Sequence, residues 1–319
     1  MPDLTSGRNV LRMAGYVEIS DRIARRVASG DLSPGSELPS IRALAVTEGV
    51  TPSTIARAYQ RLATAAVVHM GDRKKTRVSE NGSRHALALL ADHRPFRLAG
   101  SDDPALDILL ERCGDSIDSV ERGGSFSGLR AVWQGRADGA AIHLLHESGV
   151  YNRPFAAALL AGRDPTIVHL WRREQGIIVA NGNPLGLQSI RDALPHRIAK
   201  REFGAGTRVL LDRLVRQIGG NPDSIRGPEA QSHFELALAV ASGIADAALG
   251  ARSAAAALHL GFVPVTWEPY ELVVPGDRLG LTKPLIEALE DPSTQQRIAA
   301  LTGYDLTDAG QVSDAETPY

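Results

Sequence analysis

Leu38-Pro39-Ser40-Ile41-Arg42-Ala43-Leu44-Ala45, followed after three residues by Gly49-Val50-Thr51-Pro52-Ser53-Thr54-Ile55-Ala56-Arg57-Ala58-Tyr59, decides the fold of the N-terminal part of this chain. Ser40 can N-cap a helix that carries Ile41, Leu44 and Ala45 on one face, and Gly49 sits where a helix C-terminus wants a left-handed residue. Thr51 is a second N-cap, and Pro52 stands at the first helical position, where a missing N–H costs nothing. Ile55, Ala58, Tyr59 and Leu62 then recur at i, i+3, i+4 and i+7, one buried stripe. Two short helices joined by Glu48-Gly49-Val50 read as a helix-turn-helix.

Upstream, Ile19, Ile23 and Val27 predict a helix from Tyr16 to Ser29, stopped by Gly30 and turned by Pro34-Gly35. Downstream, Val67-Val68-His69-Met70, Gly71-Asp72-Arg73-Lys74-Lys75 and Thr76-Arg77-Val78 read as strand, basic turn and strand, a wing. The cations at 73, 74, 75 and 77 suit backbone phosphate or a minor groove.

These residues resemble the GntR family of winged-helix regulators over about residues 14–80. The resemblance implies DNA contacts from Arg42 on the second helix and from Thr51, Ser53 and Thr54 at the start of the third. Pro52 and Ala56 stand where some members carry arginines, and Arg57 is the substitute base reader. The usual Gly-x-Gly-Thr wing tip is replaced by Arg73-Lys74-Lys75-Thr76.

The chain of 319 residues is too long for one ordinary core. The expected division is a winged helix in residues 1–80, a linker helix in 81–93 and a two-lobed ligand-sensing domain in 94–319. Residues 1–80 carry 12 Lys and Arg against 8 Asp and Glu, while the remainder carries 23 against 29. A small basic domain tied to a larger acidic one suits a protein whose first part meets nucleic acid. The single cysteine, Cys113, offers neither an internal disulfide nor a thiolate metal cluster. With no signal pattern at the start and no run of about eighteen apolar residues, a cytoplasmic protein without a membrane partner is expected.

Beyond residue 94 strand and helix patterns alternate, which argues for α/β layers. Small or hydroxyl-rich loops fall where strands give way to helices: Ser101-Asp102-Asp103, Gly124-Ser125-Phe126-Ser127-Gly128 and Gly204-Ala205-Gly206-Thr207. Free N–H groups at such helix starts can hold an anion, and Ser101, Ser125, Ser127 and Thr207 add hydroxyls. Gly206 permits close backbone approach, and Arg201 and Arg208 flank the third loop as cationic partners. Each loop could equally be a helix cap and nothing more. His143, Tyr151, Glu268 and Tyr270 are expected to line the remaining wall.

Arg97-Leu98-Ala99-Gly100-Ser101-Asp102-Asp103-Pro104, Gly124-Ser125-Phe126-Ser127-Gly128-Leu129, Arg173-Glu174-Gln175-Gly176, Gly204-Ala205-Gly206-Thr207-Arg208-Val209-Leu210-Leu211 and Ala241-Ser242-Gly243-Ile244-Ala245-Asp246 together resemble the periplasmic-binding-protein-like sensor domain of molybdate-type bacterial regulators. That resemblance implies two α/β lobes joined by crossover strands and closing on a ligand, with crossings near residues 175–182 and 263–268. Arg201-x-x-x-Ala205-Gly206-Thr207 is similar to the oxyanion loop of phosphate-binding proteins, with Ala205 replacing their serine. An Asp102 or Asp103 carboxylate facing the cleft would repel a bare dianion unless it capped its own helix or met an ammonium group. Molybdate, tungstate, a sulfonate, a carboxylate or an amino-acid-like zwitterion all fit loops of this kind.

Catalytic signatures do not occur. There is no Gly-x-x-x-x-Gly-Lys-Ser/Thr, Gly-x-Ser-x-Gly or His-Glu-x-x-His, and the lysines beyond residue 80, Lys200 and Lys283, lie in no cofactor motif. His143 and His146 would need helical spacing to share a metal, but their stretch begins as a strand. The expectation is a ligand-responsive, non-enzymatic DNA-binding regulator, homodimeric on operator DNA, with no cofactor and no metal. The alternative is a small-molecule-binding protein or enzyme with a vestigial DNA-binding domain.

Overall fold

A computed structural model describes residues 15–70, 75–90 and 95–315. The chain divides into two compact units, Met1–Leu90 and Ala91–Tyr319.

The first unit runs α1 (Tyr16–Ala28), α2 (Ile41–Glu48), α3 (Pro52–Thr64), β1 (Val68–His69), β2 (Arg77–Val78) and α4 (Gly82–Leu90). Its caps follow the sequence. Ser40 Oγ accepts the Ala43 amide at 3.2 Å, Thr51 Oγ1 accepts the Thr54 amide at 3.3 Å, and Gly49 takes the left-handed conformation at φ 65°. Ile19, Ile23 and Val27 of α1 are buried, as are Ile55, Ala58, Tyr59 and Leu62 of α3. The Tyr59 hydroxyl donates to the Pro39 carbonyl at 2.7 Å and so fastens α3 to the entry of α2; burial raises its pKa to about 12. β1 and β2 pair antiparallel with Val68 opposite Val78, and Glu37 bridges to Arg77 as a third edge. The helix expected as a linker packs on α1 as the fourth helix of this unit. Its Ala86 and Leu87 are buried, and the Ser83 hydroxyl donates to the Val27 carbonyl at 2.9 Å. Residues 91–93 of the expected linker lie outside the described residues.

The second unit runs β3 (Phe96–Gly100), α5 (Pro104–Cys113), β4 (Ile117–Glu121), α6 (Ser125–Trp133), β5 (Gly139–Ile142), α7 (Arg153–Leu159), β6 (Thr166–Val179), α8 (Ile190–Ala193), β7 (Ile198–Arg201), α9 (Gly206–Gln217), β8 (Glu229–Ala230), α10 (His233–Ala241), β9 (Ala247–Ala251), α11 (Arg252–Ala257), β10 (Gly261–Val274), α12 (Lys283–Glu290), α13 (Pro292–Ala299), β11 (Tyr304–Asp305) and β12 (Val312–Asp314). The strand order is β4-β3-β5-β10-β6-β9-β7-β8, with β11 and β12 also on β6. Strands β4, β3 and β5 are mutually parallel, as are β8, β7 and β9. The long β6 and β10 run antiparallel to each other along most of their length, β10 also pairing antiparallel with β5 and β6 with β9. This is a two-lobed α/β domain.

The sheet is therefore mixed rather than purely parallel, because two 14-residue strands serve both lobes. β6 meets β9 of the second lobe only from Gln175 onward, and β10 meets β5 of the first lobe only from Glu271 onward. The first crossing thus ends where the expected window begins, and the second runs through Pro264–Tyr270. One apolar core fills the first lobe around Leu129, Ile142, Leu144 and Ile167. The second lobe has a core on each sheet face, one under α9 with Leu210 and Leu211 and one under α10 with Leu236 and Val240.

Candidate functional site

In the winged helix, Arg42, Thr51, Ser53 and Arg57 are exposed and Thr54 is half-buried. The three hydroxyls form a local cluster: Thr51 Oγ1 lies 2.8 Å from Ser53 Oγ and 2.9 Å from Thr54 Oγ1. Thr51 is thus spent on its cap, and Ser53 and Arg42 remain open outward. Arg57 stacks on the Tyr16 ring, with its guanidinium carbon 4.0 Å from the ring centre. That cation–π contact ties it to the start of α1, an interaction worth roughly 0.5–1 kcal/mol at an exposed site. Arg73 and Lys74 lie outside the described residues. Lys75 and Arg77 share the Glu37 carboxylate. Lys75 first, then Arg77, holds that carboxyl below its usual range. Such exposed pairs are weak, so phosphate can compete for both cations.

In the second unit the crossing strands carry the chemistry. Trp171, Arg173 and Gln175 alternate along β6 onto one face, and Arg173 stands opposite both Glu268 of β10 and Tyr304 of β11. Arg173 and Glu268 are wholly buried, as are Asp103 and Gln175. The guanidinium donates through Nε to Glu268 Oε1 at 2.7 Å, through NH1 to Asp103 Oδ2 at 2.5 Å and through NH2 to His143 Nε2 at 3.1 Å. It also lies 5.0 Å from the centre of the Tyr270 ring, which stacks on Trp171 at 5.2 Å.

Protonation follows from donor counting. Because Nε2 of His143 accepts from a guanidinium that cannot accept in return, the imidazole proton sits on Nδ1. Nδ1 lies 3.2 Å from Glu268 Oε1, off the direction a hydrogen bond needs. Burial lowers the His143 pKa, Arg173 lowers it further, and Glu268 opposes both, leaving a neutral ring. Burial works against ionising Glu268, yet the Arg173 guanidinium beside it holds its pKa below the usual carboxylate range. Asp103 is pushed up by burial, against the Arg173 charge and the donors around it. Gln175 can only donate to the acceptor-only carboxylate, and its Nε2 reaches Glu268 Oε1 at 2.7 Å. Its carbonyl Oε1 and the second oxygen of Glu268 are buried without a partner. A buried acceptor left unpaired costs about 1–3 kcal/mol.

The helix starts expected from the sequence converge on this cluster. Ser101 and Ser125 are buried and hydrogen-bonded to each other at 2.7 Å, and Ser125 Oγ accepts the His143 amide at 3.2 Å. The Ser101 carbonyl accepts the Tyr270 hydroxyl at 2.5 Å. Gly100 makes this packing feasible: at φ 124° it lies so close to β5 that a Cβ would fall 2.1 Å from the Ala141 carbonyl. From the other lobe, Gly206 presses against His143, and a Cβ there would sit 2.4 Å from both Nδ1 and the carbonyl oxygen. Thr207 is buried, with Oγ1 3.4 Å from His233 Nε2. Nδ1 of His233 accepts the Ala251 amide at 3.1 Å, so Nε2 carries the proton and Thr207 receives it. The Thr207 hydroxyl proton is then free to point elsewhere.

Other expected residues play different parts. Asp102 is partly exposed beside Arg122 at 3.5 Å, whereas Asp103 caps α5 through the Ala105 amide and binds Arg173. Ser127 donates its hydroxyl back to the Gly124 carbonyl at 3.0 Å, a bond within the first turn of its own helix. Arg201 is buried but engaged by Glu202 at 2.9 Å, and Arg208 pairs with Asp212 at 2.9 Å. Tyr151 is half-buried, its phenol pushed up by burial and by the Glu268 charge. His146 turns away to Ser148 and Phe155, and among the described residues no group of three or more metal-ligating side chains forms.

Sequence reasoning left Asp102 and Asp103 undecided and missed Arg173, Gln175, His233 and Tyr304 as site residues. For Arg173 and Gln175 the signal was Arg172-Arg173-Glu174-Gln175 set between the mostly apolar stretch Ile167–Trp171 and the apolar Ile177–Val179. Polar residues in the middle of one buried strand have to meet partners.

Comparison with known proteins agrees with this architecture. A model described as bacterial regulatory proteins, gntR family, matches residues 15–78, and one described as PBP superfamily domain matches residues 112–290. The uncharacterized protein YvgK of Bacillus subtilis (strain 168) is 32% identical over 229 residues, 69% of this chain and 74% of that one. The HTH-type transcriptional regulator Rv1152 of Mycobacterium tuberculosis (strain ATCC 25618 / H37Rv) is 39% identical over 64 residues, 20% of this chain and 53% of its own length. A putative phosphate ABC transporter substrate-binding protein with bound phosphate from Clostridium perfringens shares the fold, with TM-score 0.50 and 12% identity over 66% of this chain and 99% of that one. The chain belongs to the family defined by the PBP superfamily domain and carries it behind a winged helix of the bacterial gntR regulatory family.

Proposed function

We propose that this protein is an effector-responsive transcriptional regulator that binds operator DNA through residues 15–78 and senses a small anionic or zwitterionic molecule between the two lobes of its second unit. The observation that carries the sensing half is the buried cluster of Arg173, Glu268, Gln175 and His143 on the crossing strands, with unpartnered polar atoms and with His143 packed against Gly206 of the other lobe. A domain kept only for its shape would gain by apolar packing there, because buried ionic groups are costly to hold.

On the DNA side, Arg42 and Ser53 read bases, and Arg73, Lys74 and Lys75 meet phosphate, with Thr51, Thr54 and Arg57 shaping the recognition helix. The protein acts as a cytoplasmic homodimer on two half-sites about one helical turn apart. The sensor domain begins near residue 94. An effector alters DNA affinity by binding one arrangement of the lobes better than another. Fluorescence anisotropy of the full chain on genomic fragments from its own neighbourhood, with and without candidate small molecules, tests the reading. An operator whose affinity shifts on adding a compound that also stabilises the protein is the expected result. Specific DNA binding indifferent to every stabilising compound would overturn it.

A further inference from the structure

The buried cluster has an uneven count of donors and acceptors. Asp103 and Glu268 set two acid side chains around the single guanidinium of Arg173, with His143 beside them. Neither flanking arginine is spare, since Arg201 is held by Glu202 and Arg208 by Asp212 and Glu229. Two acceptors, Gln175 Oε1 and Glu268 Oε2, are buried without a donor. The orientation of Gln175 is not free to change this, because turning its amide would set its carbonyl against the Glu268 carboxylate.

Close by lies the opposite chemistry. His143 Nδ1–H has no hydrogen-bond partner and touches the start of α9 at Gly206. The Thr207 hydroxyl accepts from His233 and keeps its own proton to give. The amides of Gly206 and Thr207 head a helix of 12 residues, where the first N–H groups lack intrahelical partners. His143 joins the two groups: its Nε2 accepts from Arg173 and its Nδ1 side lies against both Glu268 and Gly206.

We propose that the molecule sensed in this cleft is a short zwitterion whose protonated amine is received by Gln175 Oε1 and Glu268 Oε2 and whose acid group is received by His143 Nδ1–H, Thr207 and the start of α9. The inference rests on the sensor reading above and narrows it: an oxyanion without an amine finds donors for its charge but leaves both acceptors, Gln175 Oε1 and Glu268 Oε2, unpaired. Asp102, turned outward to Arg122, takes no part.

The test is thermal denaturation and titration calorimetry of the full chain against amine-bearing acids: the α-amino acids, taurine and short aminophosphonates. Each is paired with its counterpart lacking the amine, and molybdate, sulfate and phosphate form a third arm. The expected result is stabilisation by at least one amine-bearing compound, binding at least about tenfold weaker for its partner compound, and no shift with the three oxyanions. Gln175→Leu should weaken the amine-bearing compound about tenfold; the paired compounds decide the matter on the unaltered protein even if that variant does not fold. Stabilisation by molybdate, sulfate, phosphate or a des-amino acid as strong as by any amine-bearing compound would overturn the inference and leave the sensor reading standing. A folded Gln175→Leu with unchanged affinity would also overturn it. Silence from all three arms would overturn the inference and the sensor reading together.

Discussion

Arg173 of β6 and Glu268 of β10 stand directly opposite each other on the two strands that join the lobes, with the guanidinium Nε 2.7 Å from the carboxylate and neither side chain exposed. The register of an antiparallel pair is therefore what places these charges, on the same strands that connect the two lobes.

Removing Arg173 strands two carboxylates in the interior. Arg173→Met should destabilise the sensor unit by about 3–5 kcal/mol, the usual cost of breaking a buried ion pair from one side. Urea denaturation followed by circular dichroism measures it. A loss no greater than that of an ordinary surface substitution would mean that Asp103 and Glu268 find other partners.

His233 sets an acid limit. Burial, then the charges of Arg173 and Arg201, hold its pKa well below the usual value, which is about 6.5 in the unfolded chain. A depressed folded pKa contributes stability that is present above about pH 6.5 and is lost as the pH falls, because the unfolded ring takes the proton first. The thermal midpoint should decline from about pH 6.5 downward, and His233→Gln should flatten that limb while keeping an acceptor for the Ala251 amide. An identical pH profile in the two proteins would contradict the assignment.

Gly206 of the second lobe packs directly against His143 of the first. In Gly206→Ala the added methyl would fall 2.4 Å from the His143 ring and from its backbone carbonyl, which cannot swing away. The lobes should be held apart, with a larger radius of gyration in small-angle scattering. Operator binding by the unliganded protein should persist. Unchanged dimensions would show that His143 gives way instead.

On the DNA face, Arg42→Ala should cost about 1–3 kcal/mol of operator affinity if the guanidinium reads a base edge. Lys75→Ala should weaken all sequences alike and flatten the dependence on salt. Anisotropy titrations across a salt series separate the two. Equal losses on operator and unrelated DNA for Arg42→Ala would place it on phosphate.

How much was legible in the sequence differs between the two units. The winged helix is written in local signals: Ser40, Gly49 and Thr51 act on backbone groups within four residues, and the stripe from Ile55 to Leu62 repeats with the helical turn. Local rules of capping and periodicity are enough for such elements. The starts of α5, α6 and α9 were readable for the same reason, since small and hydroxyl residues mark helix openings wherever they point.

The centre of the candidate site was not readable in this way. Arg173 meets Asp103, His143, Glu268 and Tyr304, partners 70, 30, 95 and 131 residues away along the chain. Nothing in the spacing of one segment says which acid will lie opposite which base, because β-pairing between distant strands fixes it. The sequence also could not tell Asp102 from Asp103: adjacent residues at a strand end point to opposite sides, and only the course of the chain from β3, alongside β5, into α5 turned Asp103 inward and Asp102 toward Arg122. Local sequence determined where helices begin and which residues could bind. Tertiary structure decided which of them meet, because burial forces each charge to find its partner across the whole fold.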